Sequence, residues 1–443
     1  MKEGCLMYSS KLQEKLKSKG IDIGDRIKVA GPGGEFIGFL MPRPHYGDSD
    51  ILVIKLSSGY NVGLKANSFE LIEKSKVSAK SAPAEESIKN GHLSILGCGG
   101  TIASRIEYKT GAVYPSISAS ELKQSFPALK RWAVNSRQIF SLFSEDMNAS
   151  HWRLLADAIE GEIKGGSNGI VVMHGTDTMT YTSSAISFMI QDPPVPIVFV
   201  GAQRSSDRPS SENEMNILNS AYAASKDFAE VSVCMHATTN DDYCHVHRGT
   251  RVRKMHTSRR DAFHSIDSDP LFSVDYRSET FSPLSEYRKR APVSEMKISK
   301  KMNDNVALIY SHPNIKPSLI SKLDDYDGVV FIGTGLGHLP ANAFDDKSVR
   351  SVLEPVKALI DSGIPVVMSS QCINGRLCMR VYTSGRLLMD IGVIGDGMDW
   401  TPETAYTKLC WVLGQTKDIK KIKEMMVTDY VGEICPRSGT QII

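Results

Sequence analysis

No apolar run in this chain approaches the about 20 residues a membrane-spanning helix needs, and the first residues lack the apolar core of a secretory signal. A cytoplasmic protein without a membrane partner is therefore expected. An excess of one charge is also missing. Fifty-two Lys and Arg stand against 50 Asp and Glu, a net charge of +2, so no global polycation holds nucleic acid. Any RNA contact would need a local patch or a partner. The eight cysteines show no CxxC spacing, and Cys234, Cys372 and Cys410 lie in apolar, strand-like runs. Reduced thiols are the simplest reading. What is there is a chain of 443 residues, 41% hydrophobic and 23% charged, long enough for two or three globular domains.

Residues 1–75 read as a small module. A short polar helix or tail is followed by β-type runs at Asp25–Val29, Phe36–Leu40, Ile51–Leu56 and Tyr60–Leu64, broken by Gly, Pro, Asp and Ser. That spacing predicts a barrel of about five short strands. Residues 76–91 are rich in Lys, Ser, Ala and Glu, with almost nothing large and apolar, which predicts a linker. From His92 the chain alternates apolar runs with amphipathic stretches. Strands are expected at His92–Leu96, Gly169–Met173, Pro196–Val200 and Val231–Met235, with helix patterns from Met179 and near Met215. Residues 281–303 lose the pattern and read as a connection. A second set follows at Val306–Tyr310, Gly328–Ile332 and Ile364–Met368, with a last long helix starting at Thr401-Pro402-Glu403. Strand–loop–helix repeats of this kind predict a mostly parallel α/β architecture in two units, 92–280 and 304–443.

The residues that carry chemistry cluster at strand ends, where ligands sit in open α/β sheets. Gly97-Cys98-Gly99-Gly100-Thr101-Ile102-Ala103 follows the first of these strands. It is not a dinucleotide turn, because position 102 is Ile, and no Gly-Lys-Ser/Thr follows to make a P-loop. A hydroxyl on a Gly-rich turn remains, which is a nucleophile if a base is supplied. His174-Gly175-Thr176-Asp177-Thr178 repeats the arrangement at the next strand end. A base is available in Lys254, which stands in a cationic stretch with Arg248, Arg251 and Arg253. Crowding by cations would lower its pKa, while a solvated charged loop is the simpler reading. Cys244, His245 and His247, with His236 or Asp241, offer two ligands on one strand face but no closed metal set, so no metal is expected.

Gly99-Gly100-Thr101-Ile102-Ala103, taken with His174-Gly175-Thr176-Asp177-Thr178-Met179, resembles the paired motifs of the asparaginase/glutaminase family of threonine amidohydrolases. Ser144-Glu145-Asp146-Met147, Phe199-Val200-Gly201-Ala202-Gln203-Arg204 and Arg253-Lys254 with Asp261-Ala262-Phe263 resemble further segments of that family, in the same order. The resemblance implies an asparaginase-like two-domain fold behind the small barrel. It implies that Thr101 is the nucleophile that forms an acyl-enzyme, with Tyr114 as the loop tyrosine that activates it and Tyr108 as the competing candidate. Thr176, Asp177 and Lys254 would form a second hydroxyl–acid–base set. Ser144, Glu145 and Asp177 would hold the α-carboxylate and α-ammonium of the substrate, with Gly100 and Gly175 beside it and backbone amides of the glycine turns facing the oxyanion. Two departures stand out. Position 145 is Glu where simple asparaginases carry Gln, and Gly335-Leu336-Gly337-His338 has His where the bacterial enzymes put Asn.

A simple asparaginase needs no barrel and linker in front. With Ser104–Tyr108 and Asp242–Arg248 added, nearly the whole chain resembles the GatD family, which serves the archaeal-type glutamyl-tRNA(Gln) amidotransferases. That resemblance implies a glutaminase whose ammonia passes to a partner, GatE, which binds Glu-tRNA(Gln) and activates the glutamyl group with ATP and Mg2+. It implies no cofactor in this chain, and a homodimer of the chain within a heterotetramer. The alternatives are a free cytoplasmic L-asparaginase with an N-terminal appendage, and an RNA- or protein-binding module built on the barrel. Arg26, Lys28, Arg43 and Lys65 favour RNA, but Glu35, Asp48, Asp50, Glu70 and Glu73 offset them and stacking aromatics are few.

Overall fold

Ser9 caps the first helix, Ser10–Ser18, by accepting the Leu12 N–H, and the helix buries Leu12 and Leu16. The computed structural model describes residues 8–42, 48–56, 61–74, 92–99, 104–106, 113–115, 126–204 and 211–437, with 104–106 and 113–115 as backbone alone. Strands β1 (Arg26–Gly31), β2 (Gly34–Leu40), β3 (Ile51–Leu56), β4 (Asn61–Lys65) and β5 (Ser68–Glu73) form one antiparallel sheet in the order β4-β3-β2-β1-β5. Alternation turns Ile27 and Val29 of β1 inward, where they meet Leu40, Leu52, Ile54 and Phe69. β1 and β4 are not neighbours in that order, yet a Cβ on Gly31 would lie 2.9 Å from the Lys65 carbonyl oxygen. The sheet thus curls until its edge strand β4 approaches β1, the closure expected of five short strands around one small core. The expected linker, 76–91, lies outside the described residues.

The next strands are β6 (Leu93–Gly99), the hairpin β7 (Ser104–Ile106) and β8 (Val113–Pro115), β9 (Val134–Leu142), β10 (Gly169–Met173), β11 (Ile190–Gln191), β12 (Ile197–Val200), β13 (Val231–His236) and β14 (Cys244–Arg248). They are followed by β15 (Val252–Lys254), β16 (Phe263–Ser265), β17 (Phe272–Asp275) and β18 (Thr280–Pro283). Eight of these make one sheet, ordered β18-β17-β14-β13-β12-β10-β6-β9. Pairing is parallel from β9 to β13 and antiparallel from β13 to β18. The apolar pattern of the sequence does not reveal this antiparallel flank. Between β13 and β14 the chain turns back through a short polar loop, too short for the crossover that a parallel pair requires. β15 and β16 form a separate two-stranded ribbon that carries Lys254 opposite Phe263.

Helices Ala149–Lys164 and Met179–Met189 cover one face of the large sheet, and Asn213–Ala224 covers the other. β19 (Lys297–Ile298) pairs with β11 and leads into the small domain. There β20 (Val306–Tyr310), β21 (Gly328–Gly333) and β22 (Val366–Ser370) form a parallel sheet. Its helix Pro402–Gln415 packs between the domains, with Trp411 stacked on Phe188 at 5.7 Å. One apolar cluster contains Val172 and Phe188 of the large domain together with Val330, Val367 and Leu409 of the small one. Burial of this continuous interface fixes the two sheets relative to each other. Among the described residues, no helix is long and apolar enough to cross a membrane.

Candidate active site

Three strands of the large sheet end side by side. Gly97 of β6 is in register with Met173 of β10, and Gly99 is in register with Leu142 of β9. Gly99 has φ +96°, and a Cβ there would lie 2.3 Å from the Leu142 carbonyl oxygen, so only glycine ends this strand so close to its neighbour. Gly100 and Thr101, the next two residues, lie outside the described residues. Tyr114 is in β8 with its backbone opposite Arg105; its side chain, and all of Tyr108, are outside the description.

β10 ends at Met173, and the chain leaves it through His174 and Gly175. His174 is fully buried, and burial pushes its imidazole down to about 4, so it is neutral at pH 7. Its Nδ1 is 2.7 Å from the Gly175 carbonyl oxygen, a contact that requires Nδ1–H as donor. Its backbone N–H donates to the Val200 carbonyl at 2.9 Å. The turn is thereby held from both sides. Ser144, 3% exposed, stands directly against Gly175: a Cβ at 175 would be 2.7 Å from the Ser144 Cβ and 2.8 Å from its Oγ. The Thr178 hydroxyl donates to the Ser144 carbonyl at 2.6 Å, which ties this turn to the one after β9. Glu145 is exposed on that second turn.

Lys254 closes the group. Its Nζ donates to Thr176 Oγ1 at 2.9 Å and to Asp177 Oδ1 at 2.7 Å. Thr176 is buried and the Lys254 side chain is mostly covered, while Asp177 is largely open to solvent. A hydroxyl, an amine and a carboxylate in one hydrogen-bonded row can move a proton from a hydroxyl or a water. The structure therefore brings together Ser144, Gly175, Thr176, Asp177 and Lys254.

The cationic stretch is neither a solvated loop nor a bare cluster of charge. Arg248 pairs with Glu230 at 2.7 Å, Arg251 with Asp399 at 3.0 Å, and Arg253 with Glu403 at 3.2 Å. Each guanidinium has its own carboxylate, so the cations that stand near Lys254 in the sequence are balanced by acids in the fold. The acids belong to segments distant in sequence, which local pattern does not reveal. A cleft of about 340 Å³ opens beside Lys254, lined by Tyr181, Arg253, Met255, Tyr310, Gln371 and Glu403, among others. Burial, with Glu403 adding to it, pushes the Tyr181 phenol up to about 12, so its hydroxyl keeps its proton. In the sequence, Thr401-Pro402-Glu403 reads only as a helix start. Its place at the site depends on how the two domains pack.

Two of the histidines with metal-ligand spacing are hydrogen-bonded to other groups. His247 Nδ1 lies 2.8 Å from the Ser265 hydroxyl, and His236 lies between Asn216 at 2.6 Å and Asp241 at 3.2 Å. Among the described residues, no group of three or more His, Cys, Asp or Glu is arranged to hold a metal ion. His338, at the position of the second departure, is half-buried edge-on to Tyr382 at 5.4 Å, and burial pushes its imidazole down.

Comparison with known proteins places this geometry in a lineage. Residues 92–285 match the family model "Asparaginase, N-terminal", and 305–426 match "Glutaminase/Asparaginase C-terminal domain". Residues 21–74 match "GatD N-terminal domain". The L-asparaginase of Thermococcus kodakarensis superposes with a TM-score of 0.69 at 31% identity, covering 78% of this chain and 99% of its own. L-asparaginase I of Vibrio cholerae does so at 0.66 and 27%, covering 78% and 99%. Both solved enzymes are thus used up before this chain is, and the N-terminal match falls in the module that precedes the asparaginase-like part. The glutamyl-tRNA(Gln) amidotransferase D subunit of Methanosphaera stadtmanae is 45% identical over 97% of this chain and 97% of its own. That of Pyrococcus furiosus is 43% identical over 96% and 98%. Sharing the module, both catalytic domains and their order over nearly the full length, the chain belongs to the GatD family of glutamyl-tRNA(Gln) amidotransferase subunits, an asparaginase-like branch with its own N-terminal domain.

Proposed function

We propose that this chain is the glutaminase of a tRNA-dependent amidotransferase that converts Glu-tRNA(Gln) to Gln-tRNA(Gln). The observation that carries the reading is Lys254 Nζ held between the Thr176 hydroxyl and the Asp177 carboxylate, in a chain that matches GatD relatives over nearly its full length. Thr101 attacks the side-chain amide carbon of glutamine, a C–O bond forms, and the C–N bond breaks to release ammonia. Water then cleaves the acyl-enzyme to give glutamate. Lys254 takes a proton from Thr176 or from the water aligned by it, and Asp177 receives the α-ammonium of the substrate. Ser144 and Gly175 form the wall beside the α-carboxylate, with Glu145 at its rim. Tyr114 is the loop tyrosine.

Ammonia is consumed by a partner of the GatE kind, which holds Glu-tRNA(Gln) and activates the glutamyl carboxylate with ATP and Mg2+. Two copies of this chain and two of the partner make the complex, which works in the cytoplasm. The alternative is a free asparaginase. The purified chain is assayed for ammonia release from glutamine and asparagine, alone and with partner and Glu-tRNA(Gln). Glutamine hydrolysis that rises when both are added supports the proposal. Rapid asparagine hydrolysis by the chain alone, indifferent to partner and tRNA, overturns it.

A further inference from the structure

Of the four residues preceding Lys254, Val252 and Arg253 pair through their backbone with β16 of their own domain, and the stretch is also tied to the small domain. The Thr250 carbonyl accepts the Thr404 hydroxyl at 2.8 Å. Arg251 is fully buried; it donates to the Asp399 carboxylate at 3.0 Å, to the Asp399 carbonyl at 2.9 Å and to the Gly432 carbonyl at 3.3 Å. Val252 enters the apolar cluster shared by both domains. Arg253 Nε lies 3.2 Å from Glu403 Oε1. Thr250, Arg251 and Arg253 all reach one short stretch, Asp399 to Thr404, which is the entry into helix Pro402–Gln415. Thr401 caps that helix by accepting the Thr404 N–H at 3.3 Å, and Ser184 of the large domain donates to the Thr404 hydroxyl at 3.1 Å.

Glu403 is unusual among these partners. It is 8% exposed, its Oε2 has no hydrogen-bond partner, and it lines the cleft next to Lys254. Its place in the first turn of the helix suits a carboxylate, because the helix dipole and the free N–H groups favour negative charge there. A buried carboxylate with one unpartnered oxygen carries a desolvation cost that a neutral side chain would not. What Glu403 does is hold Arg253, whose backbone leads directly into Lys254.

We infer that Glu403 of the small domain is a positioning residue for Lys254: through Arg253 it fixes the ribbon strand β15 so that Nζ reaches Thr176 and Asp177. The inference rests on glutamine hydrolysis being the activity of this chain. It assigns the small domain a part in the chemistry although, among the described residues, the hydrogen bonds of Lys254 Nζ go to Thr176 and Asp177 of the large domain. Displacement of a reacting group by about 1 Å costs up to about a hundredfold in rate, and that effect falls on the chemical step rather than on binding.

The test is steady-state glutamine hydrolysis by the full chain with its partner and Glu-tRNA(Gln), for wild type, Glu403→Gln, Glu403→Asp, Arg253→Met and the double variant Arg253→Met/Glu403→Gln. Glu403→Gln and Arg253→Met are each expected to lower kcat by about tenfold or more, with KM within about twofold. Glu403→Asp recovers part of the rate, and the double variant is no worse than the slower single one, because one interaction is lost only once. Melting temperatures are measured alongside: Glu403→Gln, which leaves only the partly exposed Arg253 unpaired, is expected to lose kcat without a matching loss of stability, whereas Arg253→Met, which strands the buried Glu403 carboxylate, loses stability as well. Unchanged kcat in both single variants overturns the inference, as does a rate loss fully additive in the double variant, or one explained by unfolding. A wild-type complex that does not hydrolyse glutamine overturns the functional reading itself, a result distinct from active enzyme with indifferent variants.

Discussion

The large and small domains both end parallel strands at the same cleft, but they use those ends differently. In the large domain, β10 runs into Thr176 and Asp177, and buried His174 fixes the turn. In the small domain, β20 and β22 bring Tyr310, Ser370 and Gln371 to the cleft. There the Gln371 amide and the Ser370 hydroxyl are spent on the domain itself: Gln371 donates to the Ser311 and Ile332 carbonyls, and Ser370 to that of Gly335. What reaches across to the residues before Lys254 comes instead from a helix entry, through Asp399, Glu403 and Thr404. One sheet presents groups able to react, and the other supplies a brace. The same strand-end geometry thus serves chemistry or support according to whether its polar groups are left free or are consumed locally.

The contrast can be broken at either side. Lys254→Met removes the amine from the row, and glutamine hydrolysis is expected to fall by about a thousandfold, with melting temperature nearly unchanged, in a paired kinetic and thermal assay. Lys408→Met is the converse. Lys408 and Glu433 form a fully buried pair at 2.6 Å behind the brace, and stranding one charge is expected to cost about 3–5 kcal/mol in chemical denaturation.

The next largest effect is on pH dependence. His174 is held neutral in the fold at about 4 against an ordinary 6.5. The unfolded chain takes up the proton first, so this contribution is complete above about pH 6.5 and is lost as pH falls toward 4, by roughly 3 kcal/mol in all. His174→Gln should flatten that part of the stability–pH curve by one proton, read from denaturation midpoints between about pH 4 and 7. Gly175→Ala is the mildest change in bulk. Its Cβ has to displace Ser144, and a stability loss of about 1–3 kcal/mol is expected, together with a rise in KM for glutamine.

Much of the scaffold is legible in the sequence because it is local. Apolar runs mark β6, β10, β12 and β13, the first three with Gly at their ends, and the hydroxyl and acid after Gly175 stand out because strand ends are where such groups collect. The curled N-terminal sheet is legible from the spacing of its turns. The arginines are not. Arg251 meets an acid 148 residues away, and a row of cations in one window of sequence reads as solvated unless its partners are known. The antiparallel flank β14-β17-β18 escapes for a related reason. Short strands rich in His, Arg and Ser carry little apolar signal, and their pairing is decided by the sheet already in place.

Supply of ammonia for amidation by the two-threonine site is measured most directly as Gln-tRNA(Gln) formation by the complex of this chain with its partner, with either glutamine or ammonium chloride as nitrogen donor, for wild type, Thr101→Ala and Thr176→Ala. Each substitution should abolish amidation from glutamine and leave amidation from ammonium intact. Loss of both activities, or amidation from glutamine that survives either substitution, would contradict the account.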